Sequence, residues 1–336
     1  MMARSKQWLK RDEGVSMVLV GMMLAVILGL AGMAVDLGVV YVERRELRTA
    51  ADAAALAIAE DCGMGTRPCD DVTALATAEE YADANAGDGA SAVESVSLTF
   101  TGATTGSVRV ITSAWDADDG EPGVAVPLMG ALGVDRVGVK AAATAIFDHP
   151  STGQGLPLII DTCEFYKAGG YGPANIVTLY FLSPSNTDPP PVECPANPAH
   201  MDFPGGFGWL DPNVFGECLA ELVAGNWAMG DTGTDIPAEC KDTAGLRAML
   251  YDQEILLPMY VDVNAQDKLY QVAGFSAFHV TNYKLSASSQ YASSPTFRCP
   301  DSPAQVCLEG YFVTGAVYEG NAGGDDYGVV LVKLTE

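Results

Sequence analysis

Residues 15–35, VSMVLVGMMLAVILGLAGMAV, hold one polar side chain, Ser16, in 21 positions. At ~1.5 Å of rise per residue such a helix spans the ~30 Å hydrocarbon core of a bilayer. The stretch is predicted to be a transmembrane helix bounded by Val15 and Val35, with Asp36 marking the helix exit. Arg4, Lys6, Lys10 and Arg11 precede it, so the positive-inside bias places residues 1–14 in the cytoplasm as a short tail, although Asp12, Glu13, Arg44, Arg45 and Arg48 blur the asymmetry. Gly32 and Ala34 would permit a signal-peptidase cut ahead of Val35. The apolar run is longer than a ~7–15-residue signal core, however, and helical patterning continues straight past it. An uncleaved signal anchor is expected, single-pass in the cell membrane, with the C-terminal part extracytoplasmic.

Beyond Asp36, the apolar positions Val40, Leu47, Ala51, Ala54 and Ile58 fall on one helical stripe, so the helix is expected to continue to about Glu60. Its alanines favour helix and leave a smooth face, suited to another helix or to the chain's own outer part. Residues 62–69 interrupt with Gly63, Gly65 and Pro68, and Asp70 or Asp71 can cap a second helix running toward Asn85. Residues 93–100 and 107–115 alternate as strands across a turn at 101–106, 127–132 suit a short helix, and 136–147 read as another strand.

The sequence 149–157 has linker composition, and downstream of it the prolines, paired glycines and cysteines concentrate. Strands are expected at 158–160, 176–181, 255–263, 270–281, 310–318 and 327–334, with a helix at 214–224 and a proline-rich loop at 183–198. The expected fold class is α+β. A membrane helix (15–35) continues into an extracytoplasmic helix and a small mixed unit (36–148). A linker (149–157) then leads to a β-rich, disulfide-stapled domain (158–336).

All eight cysteines follow the apolar segment, and their even number fits an oxidising compartment. The near neighbours Cys62 with Cys69, and Cys299 with Cys307, are expected to pair. Cys163, Cys194, Cys218 and Cys240 leave three pairings open. Zinc is disfavoured, because no Cys-x-x-Cys occurs and His149, His200 and His279 are scattered. The formal charge of −25 repels nucleic acid and anionic lipid, keeps an outer domain soluble, and attracts cations.

Catalytic patterns are thin. The run Gly274-Phe275-Ser276-Ala277-Phe278 lacks the last glycine of a nucleophile elbow and sits within a strand, next to His279. Asp231-Thr232-Gly233 resembles the aspartic-protease triplet but has no second copy. Asp83, Asn85 and Glu94 take positions 1, 3 and 12 of an EF-hand-like loop, with Asp88 where glycine is needed. Asp116, Asp118 and Asp119 form a second acidic cluster, so both groups stand only as weak Ca²⁺ candidates. No phosphate loop, dinucleotide fingerprint or heme motif is present. No catalytic residue and no cofactor are expected.

Residues 11–59 carry an acidic residue followed by glycine, Ala34-Val35-Asp36-Leu37-Gly38, Tyr41, Arg44-Arg45 and the alanine-rich AADAAALA. This segment resembles the N-terminal signature of TadE/TadG-like proteins of the tight-adherence (Flp) pilus system. LPLIIDTCEF, PGGFGWLD, GDTGTDIPAEC and CLEGYF further on are similar to the secreted portion of TadG-like proteins. The resemblance implies a membrane-anchored, externally facing accessory of pilus assembly without catalysis, whose N-terminal helix meets pilus-assembly or pilin-like proteins. The chain also departs from related patterns. Leu19 stands five residues after Gly14, where prepilins carry glutamate, and the Asp-x-Ser-x-Ser triplet of von Willebrand A domains is missing. Val39 and Val40 occupy positions near Asp36 where the family often has a basic residue. Two alternatives stand beside this reading: an adhesion or binding module independent of pili, supported if Trp209 or Trp227 is exposed, and a cell-surface hydrolase resting on Asp231 and His279.

Overall fold

The computed structural model describes residues 13–86, 91–116, 120–180, 207–230, 236–264, 267–300 and 306–335. The apolar segment and its alanine-rich continuation form one element, α1 (Glu13–Met64), 52 residues long and so about 78 Å from end to end. No proline falls between residues 13 and 64, so the hydrogen-bond ladder is never broken from within. Gly65, in the left-handed region at φ 65°, turns the chain, and a Cys62–Cys69 disulfide closes the turn. The chain then enters α2 (Asp71–Asn85), capped by the Asp70 carboxylate, which accepts from the N–H groups of Val72 and Thr73 at 3.0 and 2.8 Å. Those amides, Thr73 foremost, hold the Asp70 carboxyl below its ordinary pKa.

Strands β1 (Ser91–Phe100) and β2 (Gly106–Asp116) form the predicted antiparallel hairpin. The strand expected over 136–147 is divided in two. After β3 (Glu121–Pro122), the short strand β4 (Val124–Ala125) pairs with β5 (Arg136–Val137), whereas β6 (Lys140–Asp148) pairs with β2. Two different partners require a break at Gly138 and Val139. The helix expected at 127–132 is a single 3₁₀ turn, Met129–Leu132.

Residues 149–157 are not free linker. His149 is buried, its Nδ1 3.1 Å from the Val329 carbonyl oxygen and its Nε2 2.9 Å from Thr104 Oγ1, and β7 (Thr152–Gly155) follows. The β-rich part then runs through β8 (Leu158–Asp161), α3 (Thr162–Ala168), β9 (Val177–Tyr180), β10 (Phe207–Trp209), β11 (Ala220–Val223) and β12 (Trp227–Met229). It continues with α4 (Thr243–Leu250), β13 (Gln253–Asn264), β14 (Leu269–Lys284) and β15 (Cys307–Val313). One sheet takes the order β10-β8-β13-β14-β15-β9, with β12 beside the start of β14. Both of its faces are covered. Leu158, Ile160, Leu257, Met259, Phe278 and Phe312 share one core, while Ile159, Tyr260, Val272, Phe275 and Leu222 share the other.

The helix expected at 214–224 is overturned: Gly216 at φ 75° breaks any helix, and β11 alternates buried Ala220 and Leu222 with exposed Glu221 and Val223 against β7. Cys218 is bonded to Cys240 and Cys299 to Cys307. Cys163 is also disulfide-bonded, whereas Cys194 and the proline-rich loop at 183–198 lie outside the described residues.

The chain ends by crossing back. β16 (Gly315–Val317) and β17 (Val329–Leu334) join the first sheet, whose order is β1-β2-β6-β17-β16, with β17 antiparallel to β6 and parallel to β16. Ser276 of β14 donates to the Tyr327 carbonyl at 2.8 Å, tying the two sheets at their junction. Both helices lie on the first sheet: Ala51, Ala54, Ala55, Ile58 and Ala59 of α1, with Ala74 and Ala78 of α2, meet Val108, Val110, Ala143, Phe147, Val330 and Val332. The alanines let the helix backbone come close to the strands. A Cβ at Gly63 would overlap the Val330 side chain.

Candidate functional site

Between the apolar head of α1 and its alanine seam, a single face of the helix is covered by its own chain. Leu47 is buried with Ala114 and Val139, and Val40, Val124 and Val137 pack on them. One turn closer to the N-terminus, Asp36 is only 3% exposed. Its Oδ2 accepts a hydrogen bond from the Met129 N–H at 2.6 Å. The carboxylate therefore meets a backbone amide of the same chain. Another turn closer still, Leu128 lies against Gly32: a Cβ built on that glycine would stand 3.3 Å from the Leu128 Cβ.

The segment that reaches α1 is held from behind. Gly133, at φ 83°, ends the 3₁₀ turn, and the Val126 N–H donates to the Asp135 carbonyl at 2.9 Å. Arg136 clamps the base, donating to the Gly123 carbonyl at 3.2 Å and pairing with Asp116 Oδ2 at 3.1 Å. Gly123 is needed where it stands, because its φ is 97° and a Cβ would press on the Val137 carbonyl at 2.9 Å. The tip is apolar and outward-facing, with Leu128 50%, Leu132 71% and Val134 41% exposed. The sequence reading assigned no role to this tip, although residues 125–134, AVPLMGALGV, are an uncharged apolar run whose turn residues suit a loop.

The described members of the weak cation candidates lie on α2, β1 and β2. Asp83 is exposed near the end of α2, Asn85 donates to the Tyr81 carbonyl at 2.8 Å, and Glu94 on β1 pairs with Lys140 at 2.6 Å. Asp116 is engaged by Arg136, and Asp118 and Asp119 lie outside the described residues. Among the described residues no group of three or more His, Cys, Asp or Glu is disposed to hold a metal ion.

Ser276 is fully buried, and three residues along the same strand His279 points to the opposite face, where it stacks on Tyr311 and meets Asp252 at 3.2 Å. The two cannot form a nucleophile–base pair. Asp231 lies outside the described residues.

A cleft of about 300 Å³ opens beside β11 and β12, lined in part by Asp211, Asn213, Glu221, Asn226 and Trp227. Trp227 is 46% exposed there, whereas Trp209 is fully buried. Asn213 fixes the rim by a pair of hydrogen bonds with the backbone of Glu221, at 2.7 and 2.8 Å. Phe215, two residues beyond, is wholly exposed.

Among the described residues one helix is long and apolar enough to cross a membrane, and it is α1. Residues 14–60 match the family model described as Putative Flp pilus-assembly TadE/G-like. No curated protein and no solved structure matches the chain. The match begins at the foot of α1 and ends where the alanine seam meets the sheet, leaving the strands outside it. Residues 14–60 are thus similar to the putative Flp pilus-assembly TadE/G-like family, the same resemblance that the sequence of the long helix carries.

Proposed function

We propose that this protein is a single-pass, externally facing accessory of Flp pilus assembly that acts by anchoring and interaction, not by catalysis. The observation that carries the reading is the unbroken α1: the residues that match the family run without a joint from the apolar span into the core of the outer fold. A helix seated so tightly on a sheet couples whatever contacts it in the membrane to the β-rich domain outside. The cations before the span and the disulfides after it support an N-terminus in the cytoplasm and a domain in an oxidising space. The test is an in-frame deletion scored by electron microscopy for surface pili, complemented with α1 alone or with the full chain. Pili restored only by the full chain support the reading; pili that persist after deletion refute it.

A second reading, a binding module that works independently of pili, is favoured by the Trp227 cleft, where an aromatic face sits among polar side chains. Deletion strains that keep their pili but lose surface attachment, with the same loss on Trp227→Ala, would favour it. The hydrolase reading gains no support from His279, whose partner is Asp252.

A further inference from the structure

We propose that residues 125–134 form a second membrane-embedded element, a short loop that enters the acyl-chain region of the leaflet through which α1 leaves the bilayer. The inference rests on the membrane-anchoring reading above and concerns where the bilayer ends. Leu128 touches Gly32, and Gly32 lies inside the apolar run of α1. If the span ended at Val35, Leu128 would already stand about 4.5 Å inside it, three residues below the exit.

The structure also removes the reason for ending the span at Val35. Asp36 is enclosed and accepts a backbone hydrogen bond, so at that level its carboxylate faces its own chain and not the open surface of the helix. Around the remaining circumference of α1, apolar side chains stay exposed as far as Tyr41 and Val42, and exposed Arg44 and Arg45 follow. Residues 17–42 extend about 39 Å, which fills a hydrocarbon core and reaches into the headgroups, where tyrosine and arginine are favoured. Measured from Val42, the Leu128 contact lies about 15 Å deeper.

The loop is built for that depth. Leu128, Leu132 and Val134 face outward, and no charge occurs between Glu121 and Asp135. Within it the Val126 N–H donates to the Asp135 carbonyl, the Gly133 N–H closes the 3₁₀ turn, and the Met129 N–H is taken by Asp36. Acyl chains are the occupant that matches an apolar tip at this level.

The full chain, reconstituted in phosphatidylcholine–phosphatidylglycerol vesicles, would carry photoreactive benzoylphenylalanine in place of Leu24, Leu132 or Tyr318. Lipid adducts are read by mass spectrometry. Leu24 is an exposed residue of the apolar span, and Tyr318 donates to Glu60 near the far end of α1, so they bracket the measurement. Leu132 is largely exposed, so its replacement leaves the core intact. Adducts at 24 and 132 with none at 318 are expected. Adducts at 24 but not at 132 overturn the inference and leave the anchor standing, as do adducts at 318 as abundant as those at 132. No adduct at 24 refutes the anchor itself, and the inference with it.

Discussion

Replacing Asp36 with alanine removes the pin between α1 and the 125–134 loop while leaving the sheet core untouched. Hydrogen bonds to a charged group contribute about 1.5–3 kcal/mol. The Met129 N–H keeps a second acceptor, the Val126 carbonyl at 3.1 Å, so the amide is not orphaned and the loss falls near the lower end. About 1.5 kcal/mol corresponds to roughly tenfold. The measurement is amide hydrogen exchange in detergent micelles, where local opening sets the rate of each segment. Peptides covering residues 126–134 should exchange about tenfold faster in Asp36→Ala, while β6 keeps its protection. Asp36→Asn retains an oxygen acceptor without the charge and should fall between the two, since a neutral hydrogen bond contributes about 0.5–1.5 kcal/mol. Unchanged exchange over 126–134, or equal acceleration in β6, would show that Asp36 is not the local pin.

Four further outcomes are expected. Ala54→Leu forces a large side chain into the helix–sheet seam, where Ala54 has no exposed surface, and should cost about 1–3 kcal/mol in thermal unfolding; an unchanged melt would mean the seam has spare volume. Gly310→Ala places a Cβ on the His279 carbonyl and the Phe278 ring between β14 and β15, so destabilisation of similar size is expected, and normal stability would refute the tight pairing. Converting Cys62 and Cys69 together to serine opens a loop with a separation of 7 residues and should lower denaturant stability by about 2.4 kcal/mol on the chain-entropy model, against about 3.4 kcal/mol for Cys218 with Cys240, whose separation is 22; a reversed order would argue against loop entropy as the cause. Burial pushes Tyr171 up to about 12 and raises Tyr260 and Tyr327 as well, so the folded protein keeps phenolic protons that the unfolded chain releases from the ordinary value of 10.0; stability is full below that value and falls as pH rises toward 12. Phenolate absorbance followed beside circular dichroism checks this, and ionisation of all 13 tyrosines near 10 with the fold intact would contradict it.

Some of the fold was legible because its causes are local. The apolar run of α1, the alanine stripe through Ile58 and the Asp70 cap are each written within a few residues of where they act. The long strands showed their alternation for the same reason. Segment 214–224 misled because its apolar content has no local marker of partner: only pairing with β7 and the left-handed Gly216 make a strand of it. The three-residue strands β10 and β12 are too short to carry a period, and the sheet edges that hold them are built from distant residues.

Sequence alone therefore determined the long apolar helix, its continuation, the α+β class and the family resemblance, because hydropathy and helical period are properties of contiguous residues. Tertiary structure decided the rest. It returned β17 to the first sheet across the stretch that reads as a linker, and it buried His149 there. It gave Asp36 a partner 93 residues away and set Leu128 against Gly32. Such contacts depend on which surfaces meet once the strands have found their register, and no local pattern encodes the meeting.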